Sequence, residues 1–218
     1  MKKVEYNINY KKEKKINKQF TKKEKKNNSN KEILIINTCS NKLSEYEFLE
    51  PIVNVIKNLN LNYFVLDYRD DSLNIILKNE FYLKKITHII ISGNPLKDQD
   101  FLKYMHNFHW IMSINKPLLG ICAGMQIISL IFNSNLKKEK IISFSEIKTI
   151  KENPLFNGVF KAYEIHSNNV IISKDLRVIA KSKNRIVGIK HKEKPIYGVL
   201  FHPEVRNHII IENFLKSL

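Results

Sequence analysis

Three apolar runs constrain this chain more than anything else in it: Ile33–Thr38 (ILIINT), His88–Ser92 (HIIIS) and Pro117–Ile121 (PLLGI). Each is too short for a buried helix and too evenly apolar for a strand with one wet face. Such runs fit strands covered on both sides. The segments between them are amphipathic. Glu45–Leu59 carries Phe48, Ile52, Val55, Ile56 and Leu59 at helical spacing, and further helical stretches are expected at Ser72–Lys78 and Phe101–Ile114. Tyr63–Leu66 adds a strand. Strands alternating with helices form a parallel sheet with helices on both faces.

After Phe132 the pattern changes. Ile141–Phe144, Glu146–Ile150, Ala162–His166, Val170–Ser173, Arg177–Lys181, Ile186–Lys190 and Ile196–Phe201 all read as short strands, and a helix over Asn207–Leu218 closes the chain. The expected fold class is therefore α/β: an open, mostly parallel sheet with helices on both faces, plus additional antiparallel strands in the C-terminal half.

Charge divides the chain into two parts. The formal net charge is +16, and Met1–Lys31 holds twelve lysines against three glutamates. That stretch has few aromatics and no arginine to stack on or read bases, so it reads as a solvated Lys/Asn-rich extension over 1–31 rather than a nucleic-acid arm. The folded domain is expected over 32–218. The chain has no secretory signal pattern, and no apolar run approaches the roughly 20 residues that span a bilayer. Its two cysteines, Cys39 and Cys122, make no disulfide framework, which places it in a reducing cytoplasm.

The chemistry-bearing segment is Gly120-Ile121-Cys122-Ala123-Gly124. It follows an apolar strand and precedes the helical run Met125–Phe132, which is the setting of a nucleophile elbow with cysteine as nucleophile. The glycines permit a tight turn, and the helix N-terminus favours negative charge on the sulfur. The N–H of Ala123 is placed to donate to a developing oxyanion. A buried cysteine between packing glycines would look the same in isolation, so a second motif has to decide.

Phe201-His202-Pro203-Glu204 supplies it. A thiol nucleophile needs a base, and the base needs a carboxylate to orient it. His202 and Glu204 stand two apart, so on extended backbone their side chains share a face. Gly93, ending HIIIS before Asn94-Pro95, offers a second oxyanion N–H. Gly93, Cys122 and His202 all fall at strand carboxyl ends, where open α/β sheets place their chemistry. His106 and His109 lack the ligands to complete a metal site, and Cys39 reads as a small buried residue.

LLGICAGMQ, HIIISGNP and IYGVLFHPEV together resemble the class I (triad-type) glutamine amidotransferases, from about Glu32 to the C-terminus. HKEKPIYGVLFHPEV and NPLFNGV are most similar to the GMP synthase amidotransferase branch. The resemblance implies Cys122 as nucleophile, His202 as base, Glu204 as its orienter, and oxyanion donors at Gly93 and Ala123. It implies that Gln126, with His166 and Asn168, contacts the substrate glutamine. Ile165 and Asn168 depart from that branch, which has serine and aspartate there. No cofactor or metal is implied. Ammonia would pass to a separate ATP-pyrophosphatase synthetase subunit, since this chain has no phosphate loop. Rival readings are a free-standing γ-glutamyl hydrolase with the same triad and a non-catalytic binding protein of the same fold.

Overall fold

The computed structural model describes residues 32–70 and 72–216, so the basic extension expected over 1–31 lies outside the described residues. The parallel half follows the apolar runs: β1 Glu32–Asn37, β2 Asn62–Asp67, β3 Ile86–Ile91, β4 Leu118–Ile121 and β9 Ile196–Val199. Four antiparallel strands complete the sheet: β5 Asn135–Thr149, β6 Val159–Ile171, β7 Leu176–Ser182 and β8 Arg185–His191. Strand order is β2-β1-β3-β4-β9-β8-β7-β5-β6, parallel from β2 to β9 and antiparallel beyond it.

The helices are α1, α2 Ser72–Lys78, α3 Glu80–Lys85, α4 Ala123–Ile131 and α5 His208–Lys216. The first, α1, runs as α over Lys42–Ser44, as a π-turn over Glu45–Leu49 and as α again over Glu50–Asn58. The stretch expected as a helix over Phe101–Ile114 is 3₁₀, Asp100–Met112, with non-helical backbone at Tyr104. α3 is an addition to the sequence reading. The chain moves one way from β1 to β2 and back across β1 to β3. Right-handed crossovers therefore put α1 on one face and α2 on the other. α5 packs on α1, while α4 and the 3₁₀ stretch pack with α2's layer. The central strands are buried on both faces: Ile35, Ile36, Ile89, Ile90, Leu118 and Leu119 expose nothing.

The C-terminal half differs from the four short strands expected between Ile141 and Ser173. Two long strands, β5 and β6, form one ribbon at the end of the sheet, paired from Asn135↔Ile171 to Lys148↔Val159 with an irregularity between Lys138 and Ile141. Exposed polar residues along β5 broke the apolar signal, although backbone pairing continues through them. Among the described residues no helix is long and apolar enough to cross a membrane.

Candidate active site

The turn after β4 holds Cys122 at φ 47°, ψ −99°, a conformation unusual for a residue with a side chain. One tertiary contact and the first hydrogen bond of the following helix hold it there. The Cys122 N–H donates to the Val199 carbonyl of β9 at 2.8 Å, and the Cys122 carbonyl accepts the Gln126 N–H at 3.1 Å. Both flanking glycines are required. A methyl group on Gly120 would fall against the Gly124 backbone and within 2.6 Å of Ile128 Cδ1, and one on Gly124 within 2.6 Å of the Ile91 carbonyl. The helix can thus start directly behind the sulfur. Ala123 is its first residue, so its N–H has no partner within the helix.

His202 follows β9 by three residues and is fully buried, as is Glu204 to within 1%. The backbone N–H of His202 donates to the Tyr163 carbonyl at 2.8 Å. Its Nδ1 lies 2.7 Å from Glu204 Oε1, and its Nε2 lies 3.3 Å from the Ile165 carbonyl oxygen. That same oxygen accepts from the Cys122 thiol at 3.5 Å. With a carboxylate at one ring nitrogen and a carbonyl at the other, both nitrogens are placed to donate, which only the imidazolium can do. Burial opposes that charge, but Glu204 and Cys122, by charge and by hydrogen bonding, outweigh it. The pKa of His202 stands well above the ordinary histidine value. Phe48 packs on the ring with centroids 5.0 Å apart, and His208 Nε2 donates to the Glu204 carbonyl at 2.6 Å, fixing the turn that carries the carboxylate.

Gly93 lies against this imidazole: a Cβ there would come within 2.6 Å of His202 Cε1 and 3.4 Å of Cys122 Cβ. Its carbonyl is 3.0 Å from each of the Thr38 and Ser92 hydroxyls. Because the peptide is planar and trans, the N–H of Asn94 in the same unit points the opposite way. Thr38, at the end of β1, thereby sets the orientation of this turn. No motif in the sequence singled it out.

Sequence reasoning placed Gln126, His166 and Asn168 on the substrate side. Gln126 and His166 line a cavity beside Cys122, and Gln126 Nε2 donates to the Asn168 carbonyl at 3.1 Å. His166 is buried with Nε2 3.4 Å from Glu164 Oε2, and its Nδ1 has no hydrogen-bond partner among the described residues. The cavity itself has about 10 Å³ of free space, room for about one water. A larger one of about 640 Å³ is lined by Glu47, Pro51, Phe144, Tyr163 and Glu204, and Cys122 does not line it. Cys39 is fully buried with its thiol 3.6 Å from the Gly93 carbonyl. Burial, aided by the nearby charges of Asp98, Glu45 and Glu204, pushes its pKa up to about 12, which keeps it an unreactive thiol.

The family description Glutamine amidotransferase class-I matches residues 43–216. The glutamine-hydrolysing GMP synthase subunit of Methanococcus maripaludis is 38% identical over 144 residues, 61% of this chain and 74% of that protein. Its counterpart in Methanocaldococcus jannaschii is 33% identical over the same length and coverage. Among solved structures, a Thermoplasma acidophilum protein assigned to the same GMP synthase subunit superposes with a TM-score of 0.72 at 22% identity, covering 85% of this chain and 92% of that one. A Thermotoga maritima glutamine amidotransferase gives 0.61 at 16% identity, with 86% and 82% covered. Both structural likenesses concern the fold.

Proposed function

The chain belongs to the class-I glutamine amidotransferase family, and from that premise we propose that residues 32–218 form one amidotransferase domain hydrolysing glutamine through Cys122, His202 and Glu204. The observation that carries this reading is the convergence of the Cys122 thiol and His202 Nε2 on one point, with Glu204 behind the ring at 2.7 Å. The reaction is acyl transfer in two steps. His202 takes the thiol proton, and the sulfur attacks the side-chain amide carbon of glutamine. Amides of Ala123 and of the Gly93-Asn94 turn stabilise the resulting oxyanion, each by about 10²–10³ in rate. His202 then protonates the departing nitrogen, so ammonia leaves and a γ-glutamyl thioester remains. Water, losing its proton to His202, attacks the thioester; glutamate leaves and the thiol is restored. Glu204 keeps Nδ1 protonated and the ring aimed at sulfur throughout.

The ammonia goes to a separate ATP-dependent synthetase subunit, with GMP synthesis as the pathway. Support for this finer reading comes from relatives named as glutamine-hydrolysing subunits of GMP synthase. Glutamate release is measured with and without a co-expressed synthetase. Cys122→Ala is expected to remove it while preserving the fold, and undiminished turnover by that variant would overturn the assignment. Faster turnover of other γ-glutamyl compounds than of glutamine, with no response to the synthetase, would indicate a free-standing hydrolase instead.

A further inference from the structure

The site as described is shut. The Ile165 carbonyl accepts from both the Cys122 thiol and His202 Nε2, so a backbone oxygen lies against both reacting groups and a substrate amide reaching them has to displace it. The cavity beside Cys122 has about 10 Å³ of free space, far short of a glutamine.

Ile165 is held there by contacts within the site and by an ion pair outside it. β6 ends the sheet, so one of its edges has no strand partner among the described residues, and that edge is turned onto the catalytic residues. Tyr163 accepts from the His202 N–H, Ile165 from the thiol and imidazole, and Ser167 Oγ donates to the Leu96 carbonyl at 2.7 Å. The alternate residues, Glu164 and His166, are buried. Glu164 Oε1 receives Arg185 Nη2 at 2.6 Å, and Oε2 faces His166 at 3.4 Å. Arg185 opens β8, which is not a hydrogen-bonded neighbour of β6, so this ion pair ties β6 to the body of the sheet in addition to the short β5–β7 pairing at Lys148 and Thr149. Burial works against the Glu164 carboxylate, but hydrogen bonds from His166 and Ser145 and the pairing with Arg185 hold its pKa below the usual value. Arg185 also lines an open groove with Lys148, Lys181 and Lys183, which makes the outer end of the pair reachable without entering the site.

We propose that Glu164 and Arg185 are positioning residues that lock β6 over Cys122, and that opening this lock admits glutamine. The proposal rests on the catalytic reading of Cys122 and His202 and adds a closed–open equilibrium to it. A ligand that binds only the open form has its apparent affinity reduced by the open fraction. Weakening the lock therefore lowers KM and leaves kcat unchanged.

The test is alkylation of the native full chain by iodoacetamide, with the Cys122 and Cys39 peptides quantified separately by mass spectrometry. Glu164→Gln keeps the shape and removes the charge. It is expected to speed Cys122 labelling about tenfold, equivalent to about 1.4 kcal/mol on the equilibrium, with Cys39 still protected. Arg185→Lys keeps the charge and should label closer to the unmodified chain than Arg185→Gln does. Unchanged Cys122 labelling in Glu164→Gln, or Cys39 labelling rising in parallel, would overturn the lock, the latter by showing general loosening. Glutamine turnover is followed alongside. Faster labelling with no turnover in any chain, synthetase present, would sink the glutaminase reading and leave the lock standing.

Discussion

Adding one methyl group at Gly93 tests whether the imidazole's placement limits turnover. The backbone does not resist Gly93→Ala, because Gly93 is not among the positive-φ residues. The collision is with the catalytic ring. The new Cβ would sit 2.6 Å from His202 Cε1 and 3.0 Å from Nδ1, whereas carbon contacts settle near 3.5–4.0 Å, so about 1 Å must be found. The ring cannot yield freely, since it is held at 2.7 Å by Glu204 and packed by Phe48. Overpacking of this kind costs about 1–3 kcal/mol, and roughly 1 Å of misplacement at a reacting centre costs about 10² in rate. Gly93→Ala is therefore expected to lower kcat for glutamate release about a hundredfold, with Tm falling by roughly 2–12 °C and the far-UV circular dichroism unchanged. A variant with full kcat and a folded spectrum would refute the argument, because the imidazole would then tolerate displacement or not be the base.

Three further outcomes follow from the same geometry. Gly120→Ala drives its methyl into the Gly124 backbone and Ile128; a loss of about 3 kcal/mol, roughly 6–12 °C in thermal melting, is expected. Cys122→Gly and Cys122→Ala should both lack turnover, but the glycine form should melt higher, by about 1 kcal/mol or roughly 2–4 °C, because φ 47° strains any residue with a Cβ. The His202 pKa is raised in the fold, so its stabilising contribution is complete below the unfolded value of about 6.5 and is lost as pH rises through the folded value. Glu204→Gln removes one of the groups that raise it. Its Tm deficit against the unmodified chain should be largest on the acid side and narrow as the medium becomes alkaline, and a deficit independent of pH would contradict that account.

The local signals in this chain were those set by covalent geometry and periodicity. An apolar run buried on both faces has one main structural meaning, and a glycine pair around a cysteine gains one when a histidine two residues from a glutamate accompanies it. β1, β3, β4, the elbow and the His202–Glu204 pair could therefore be read directly from the residues. Less was legible where polar positions interrupt a strand, as in β5 and β6, where pairing rather than side-chain pattern maintains the extended backbone. The π-turn in α1 and the 3₁₀ form of Asp100–Met112 were invisible for a related reason: helix type responds to packing more than to apolar spacing.

By itself the sequence determined which groups could do chemistry and that a parallel sheet would carry them, because those facts depend on residue type and neighbours a few positions away. Tertiary structure alone decided that an oxygen of Ile165 lies against both sulfur and imidazole, that Thr38 orients the Gly93 carbonyl, and that Arg185 is the partner of Glu164. These contacts join segments 21 to 55 residues apart in the chain, and some turn on which way a carbonyl points. No pattern of side chains along a strand records either.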